Sequence, residues 1–124
     1  MSDYFKKYNT ILDIKHQALQ VIDVNQIVDK CEFKWFNESL VKVNNSVIRL
    51  GVVEGEYHWH KHDNEDEFFF VLDGKLFVDT EDQTFELNSN QGITVPAGYL
   101  HRTRAERRTV MLMVETVNIV PTGD

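Results

Sequence analysis

From residue 35 onward, short runs of apolar residues alternate with polar ones and are separated by turn residues. The runs fall at 39–44, 46–53, 56–62, 67–72, 75–80, 83–87, 93–95, 101–104 and 109–117. Segments of this length with period-two alternation read as strands, and many of them in close succession read as an all-β sandwich or barrel. Asn44-Asn45, Asp73-Gly74 and Glu81-Asp82 read as hairpin turns, Asp-Gly most strongly because a type I′ turn needs positive φ. The first 34 residues have a different texture. Phe5, Tyr8, Leu12 and Leu19 recur at roughly helical spacing, which predicts an amphipathic helix over 3–20 with Ser2 or Asp3 as its cap. Val21–Val24 reads as a short strand, and Asn25 as the cap of a single helical turn through 29–31. The expected organisation is one domain, with a helical arm over 1–34 and a β-barrel over 35–124.

Alternation also places the candidate chemistry. On an extended segment over 56–62, Glu56, His58, His60 and His62 share one face, and Tyr57, Trp59 and Lys61 the other. The chain has five histidines; three stand in this row and a fourth, His101, follows Pro96-Ala97-Gly98-Tyr99-Leu100. In a barrel interior, unpaired imidazoles are costly unless hydrogen-bonded or bound to metal. Glu67 opens an otherwise aromatic strand, where a carboxylate is well placed as an anionic ligand. Imidazole with one carboxylate suits a divalent Fe, Mn, Ni or Zn ion. Pro96 ends strand pairing and Gly98 permits a tight bend, so that His101 starts a new strand pointing inward. His58 shares the face and is open to three roles: alternative ligand, partner of a ligand, or substrate contact. Asp63, Glu65 and Asp66 read as a solvated loop, and His16 as an ordinary hydrogen-bonded histidine.

Composition narrows the classes of function. A net charge of −7 argues against nucleic-acid binding, which leaves a basic footprint. No apolar run approaches the ~20 residues of a membrane span, and no signal-peptide pattern is visible, so the expected location is cytoplasmic. One cysteine, Cys31, allows no internal disulfide, which fits a reducing compartment. No base stands beside it in the sequence to activate it, and neither a Ser/His/Asp signature nor a phosphate-binding glycine loop occurs. Arg102, Arg104, Arg107 and Arg108 form the one basic cluster. They read either as a mouth for an anionic substrate or, preferably, as outward residues balancing nearby acids.

His60-x-His62-x4-Glu67-x6-Gly74 resembles the first cupin motif, and Pro96-x-Gly98-x2-His101 the core of the second, in the right order and at the right separation. The resemblance covers about residues 40–117 and is similar in wording to small single-domain cupins of the mannose-6-phosphate isomerase-like group. Asn90 stands where the second motif has Gly, a position Asn tolerates at positive φ, and Ala105 replaces the motif's final Asn. The resemblance implies a double-sheet jelly-roll barrel holding a divalent metal on His60, His62, Glu67 and His101. It also implies a homodimer, with the apolar residues of the first forty positions as interface candidates. Phe69, Val71, Phe77, Met111 and Met113 are candidates to line the cavity, or simply core. The expected function is a small metalloenzyme of dioxygenase or isomerase type acting on a small polar or anionic organic substrate. The alternatives are a non-catalytic module binding a sugar or metabolite, and a metal-stabilised structural domain.

Overall fold

The computed structural model describes residues 3–124; of the two caps expected for the first helix, Ser2 lies outside them. The long N-terminal helix is not formed. Helix α1 spans only Asp3–Lys7, and Asn9 at φ 51° turns the chain out of it. Thr10–Ile11 (β1) then adds in parallel to Trp35–Val43 (β2). Farther on, the amides of Lys15 and His16 donate to the carbonyls of Ser39 and Leu40. The edge of β2 offers these backbone groups fixed partners, and that outweighs a weak helical propensity. Tyr8 enters the core, whereas Leu19 sits fully in solvent at φ 65°.

The strand expected at Val21–Val24 is likewise absent. Ile22 and Val24 pack against the buried Leu40, Leu50, Val52 and Val110, and Val24 already begins helix α2, Val24–Lys30. Its cap is Asp23 and not Asn25: the extended Asp23 accepts a hydrogen bond from the Gln26 amide at 3.1 Å. Capping two residues earlier turns Ile27, Val28 and Cys31 toward that apolar cluster.

The barrel is all-β, as the alternation predicts. After β2 come β3 (Ser46–Glu56), β4 (Glu67–Asp73), β5 (Lys75–Thr80), β6 (Thr84–Asn88), β7 (Gly92–Val95) and β8 (His101–Thr116). The strand order is β1-β2-β3-β8-β4-β7, with β5 pairing both β6 and β8. The Asn44-Asn45 and Glu81-Asp82 turns connect antiparallel neighbours. Asp73-Gly74 does not make a hairpin. β4 and β5 do not pair with each other; they lie end to end along the same side of β8. Gly74 is the corner between them, at φ 102°, where an added Cβ would stand 2.6 Å from Thr109 Oγ1. That hydroxyl bonds both the amide and the carbonyl of Lys75. The corner also reverses which alternate residues face inward: Glu67, Phe69 and Val71 before it, Leu76 and Val78 after it.

β8 replaces two expected strands by one long one. The charged run 106–108 looks like a turn in sequence, but these residues are exposed on a continuous strand. The irregularity is taken up as a bulge on β8 itself: between the pairs Val53–Thr109 and Gly55–Ala105, residues 106–108 stand opposite Glu54 alone. Val53, Phe69, Leu76, Val78, Met111 and Met113 fill the interior, while Leu50, Val52 and Val110, on the opposite faces of β3 and β8, receive α2. Each fully buried aliphatic contributes about 1.5–3 kcal/mol. Among the described residues, no helix is long and apolar enough to cross a membrane.

Candidate metal centre

β3 ends at Glu56, so the expected strand over 56–62 is not formed as one extended piece. The segment instead leaves β3 and lies beside the start of β8. The Tyr57 amide donates to Thr103, and His60 and His101 exchange both backbone hydrogen bonds at 2.9 Å. This isolated bridge holds the two imidazoles 4.4 Å apart, centroid to centroid. The chain twists between residues 57 and 60. As a result Tyr57, expected on the face away from the histidines, lines the same cavity as His60 and Glu67.

The second cluster arrives as its residues require. β7 stops at Val95, Pro96 follows, and Gly98 turns at φ 84° while its amide donates to the His62 carbonyl at 2.7 Å. His101 then opens β8 pointing inward. Glu67 is the first residue of β4, paired with Val95. His60, His62, Glu67 and His101 are 8, 2, 4 and 1 % exposed. One donor atom from each lies within 4.8 Å of all the others. Glu67 Oε1 stands 3.2 Å from His101 Nε2 and 3.3 Å from His62 Nε2, the latter without the alignment of a hydrogen bond.

The donor set fits a metal ion. Carbonyl oxygens only accept, so His60 Nδ1, 3.0 Å from the His58 carbonyl, and His101 Nδ1, 2.9 Å from that of Tyr99, each donate an N–H. In neutral His60 this leaves the Nε2 lone pair facing inward, whereas His101 Nε2, 3.2 Å from Glu67 Oε1, would give up its proton to a bound ion. Both ring nitrogens of His62 are buried without a hydrogen-bond partner, an arrangement that is costly unless something else binds there. Burial, reinforced by neighbouring His101, lowers the pKa of His60 to about 4, so it is a neutral donor at pH 7. Burial alone would raise Glu67, but contacts from His101 and His62 override it and hold the carboxyl well below its ordinary value. Burial lowers the pKa of His101, and the hydrogen bond to Glu67 more than reverses this, leaving it raised. Three imidazoles and one carboxylate leave about two positions open on an octahedral ion.

His58 is outside this set. Its Nε2 lies 2.7 Å from the Thr122 carbonyl and its ring stacks on Tyr4 and Tyr57. Its backbone carbonyl, not its ring, holds His60. Glu65 departs from the solvated-loop reading: it is half-buried, with a carboxylate oxygen near His62 and Asp124. Asp66 accepts the Ala97 amide at 2.9 Å, tying the acidic loop to the second cluster, while Asp63 is exposed beside Lys61.

The arginines divide. Arg102 and Arg104 both bond the buried Asp79, at 2.9 and 2.7 Å, on the outside of the barrel. Arg108 caps the end of α2 by donating to the carbonyls of Val28 and Cys31. The preferred sequence reading, outward residues balancing acids, holds for Arg102 and Arg104. Phe69, Met111 and Met113 line the cavity, Val71 belongs to the core, and Phe77 lies under the Arg104 guanidinium, 4.5 Å away.

Three functional candidates were not singled out from sequence. Arg49 and Glu115 face into the barrel from β3 and β8, beside Glu67, in a cavity of about 30 Å³. Arg49 bonds Ser39 at 2.7 Å and also Asn37, but its Nε is unpartnered, as are both Glu115 oxygens. Burial and the adjoining Glu67 charge raise Glu115 well above the ordinary carboxylate range. The available signal was parity: Arg49 alternates with Val47, Gly51 and Val53, and Glu115 with Met111 and Met113. The third candidate, Asp124, gives no local signal.

Comparison with known proteins agrees with this geometry. The family model described as Cupin domain matches residues 47–117. The chain is 43% identical over 90 residues to Uncharacterized protein YdbB of Bacillus subtilis (strain 168), covering 72% of this chain and 80% of that one. It is 40% identical over 45 residues to Polyketide synthase CurC of Streptomyces cyaneus, which covers 36% of this chain and 29% of that protein. A cupin-2 domain containing protein from Shewanella frigidimarina superposes with a TM-score of 0.73 at 28% identity, over 77% of this chain and 94% of that one. Protein NMB1881 from Neisseria meningitidis shares the fold at a TM-score of 0.69 and 23% identity, over 78% and 99% of the two chains.

Proposed function

The chain belongs to the cupin family, and on that premise we propose that it binds one divalent metal ion, Fe, Mn, Ni or Zn, through His60, His62, Glu67 and His101. We propose further that it acts as a small metalloenzyme on a small polar or anionic organic molecule. The observation that carries this reading is the convergence of four buried donors with His62 unpartnered, beside a cavity whose Arg49 Nε and Glu115 carboxyl are also unpartnered. A bound ion would supply Lewis acidity, or a site for O2 and substrate together, at its open positions. The residues of the chain do the rest. Arg49 offers a buried cation to an anionic group, Glu115 offers a carboxyl whose pKa burial and the adjoining Glu67 raise, and Phe69, Met111 and Met113 exclude water. A cavity of about 30 Å³ has room for one small polar group, about two waters in size. The body of a substrate would therefore remain at the mouth.

A cytoplasmic homodimer completes the proposal. The lone Cys31 fits a reducing compartment, and the exposed Leu19, Val21 and Phe33 are apolar surface for a second copy to cover. The acidic balance argues against nucleic acid as partner.

The test is reconstitution with each metal in turn, followed by a panel of small carboxylates, hydroxy acids and sugar phosphates. Thermal shift reports binding; O2 uptake and product analysis report turnover. Turnover that needs both metal and Arg49 supports the enzyme. Metal-dependent thermal stabilisation without turnover supports instead a binding module for a sugar or metabolite.

A further inference from the structure

The three imidazoles of the cluster are not held alike. His60 and His101 each donate Nδ1–H to the carbonyl two residues earlier in the chain. His62 has no such bond, and its ring is 2 % exposed with both nitrogens unpartnered. The equivalent acceptor, the His60 carbonyl, is already engaged by the His101 amide at 2.9 Å. With Nε2 turned toward Glu67, an imidazole that binds metal through that atom carries its proton on Nδ1, and this buried N–H needs an acceptor. Two carboxylates are in reach: one oxygen of Glu65, one of Asp124 and a His62 nitrogen all lie within 4.8 Å of one another.

Asp124 is brought there by a strap. Segment 121–124 crosses the first histidine cluster through a series of hydrogen bonds. Tyr57 Oη donates to the Pro121 carbonyl at 3.2 Å, and His58 Nε2 bonds that of Thr122 at 2.7 Å. The Asp124 amide donates to Lys61 at 2.9 Å, and Asp124 Oδ2 accepts the Asp63 amide at 2.6 Å. Gly123, at φ 98°, lies against His60, where an added Cβ would approach the His60 Cβ to 2.6 Å. Oδ2 is occupied by Asp63, which leaves Oδ1 for an imidazole.

Building on the four-donor reading, we propose that Asp124, seated by the strap, is the positioning carboxylate of His62, accepting its Nδ1–H and aiming Nε2 at the metal. A carboxylate partner of this kind fixes the tautomer and makes the imidazole a stronger donor. The strap thus couples residues 121–124 to the metal centre through a residue that never touches the ion.

The test is Co(II) titration against a competing chelator, with the visible d–d spectrum and the thermal unfolding of the metal-free protein recorded in parallel. Asp124→Ala should weaken Co(II) by about 10–100-fold and change the d–d bands, while the metal-free protein still unfolds cooperatively. Asp124→Glu should recover most of the affinity, and Asp124→Asn, whose amide oxygen still accepts an N–H, should fall between. If Asp124→Ala does not fold, the Asn and Glu variants carry the comparison. Unchanged affinity and spectrum in Asp124→Ala would overturn the assignment, as would a loss seen in Glu65→Gln but not in Asp124→Ala. Two Co(II) per wild-type chain would also overturn it, by making the carboxylates ligands of a second ion. If wild-type protein binds no Co(II), the four-donor reading itself fails, before any variant is compared.

Discussion

β8 carries two ionic clusters on adjacent residues, and they are built on opposite terms. Inside the barrel, His101 joins His60, His62 and Glu67. Outside, Arg102 joins Arg104 and Asp79, with Thr84 Oγ1 donating to Asp79 at 2.6 Å. The outer cluster closes on itself: one carboxylate receives two guanidinium groups and a hydroxyl. The inner cluster does not close. Its carboxylate stands against two imidazoles, and the contact to His62, at 3.3 Å, lacks the alignment of a hydrogen bond. Charges that satisfy each other explain a surface; buried imidazole nitrogens turned toward one carboxylate ask for a group that the chain does not supply. The second pattern, and not the mere gathering of histidines, is the argument for a metal. Arg102 and Arg104, conspicuous in the sequence, belong to the first pattern.

The largest effects are expected at the inner cluster. His60→Ala or His101→Ala should abolish stoichiometric metal binding while the barrel stays folded. The loss should exceed the ~10–100-fold expected on removing an outer partner, as measured by metal content after dialysis and by circular dichroism. Full occupancy in either variant would remove that residue from the ligand set.

Next in size is Arg49→Met, which strands Asn37, Ser39 and Glu115 inside the barrel. It should cost about 3–5 kcal/mol in urea unfolding, since the buried carboxylates around it lose a neighbouring cation and Ser39 and Asn37 lose their donor. A cost below about 1 kcal/mol would mean that water already serves these groups.

The outer cluster should respond more weakly, and through acid. Burial alone would raise Asp79, but Arg104, Thr84 and Arg102 pull its pKa down to about 2. Its contribution is therefore present above pH ~4, the ordinary carboxylate value, and is lost as pH falls toward 2. Asp79→Asn should cost about 1–2 kcal/mol at pH 7, lose less stability than wild type over that acid window, and leave metal content unchanged. Smallest of all, Arg107→Ala should stay within ~0.5 kcal/mol and retain full metal content. A loss of metal in that variant would mean that the outer charges reach the site after all.

The barrel was legible because period-two alternation is a local signal and the turn residues mark its ends. The gathering of His60, His62, Glu67 and His101 was legible because their spacing resembles two short cupin motifs, with Pro96 and Gly98 turning His101 inward; strand parity alone does not hold over 56–62. What escaped was set by distant backbone. The helical spacing of 3–20 lost to hydrogen bonds along the edge of β2, which no local pattern announces. Asp73-Gly74 has the composition of a hairpin, yet the neighbour that decides its shape is Thr109 on β8. Tyr57 changed faces because the chain twists after Glu56 to reach His101. Asp124 is sixty-two residues from His62, and only the folded chain brings it near. Arg49 could have been found: a charge alternating with core residues in the middle of a strand must face inward and be paired.

The central claim is that the inner cluster is completed by a metal ion. Elemental analysis of untagged protein, purified without chelators and again after reconstitution, tests it most directly. The expected result is about one equivalent of Fe, Mn, Ni or Zn per chain and none in His60→Ala. A wild-type protein that carries no metal and takes up none on reconstitution would contradict it.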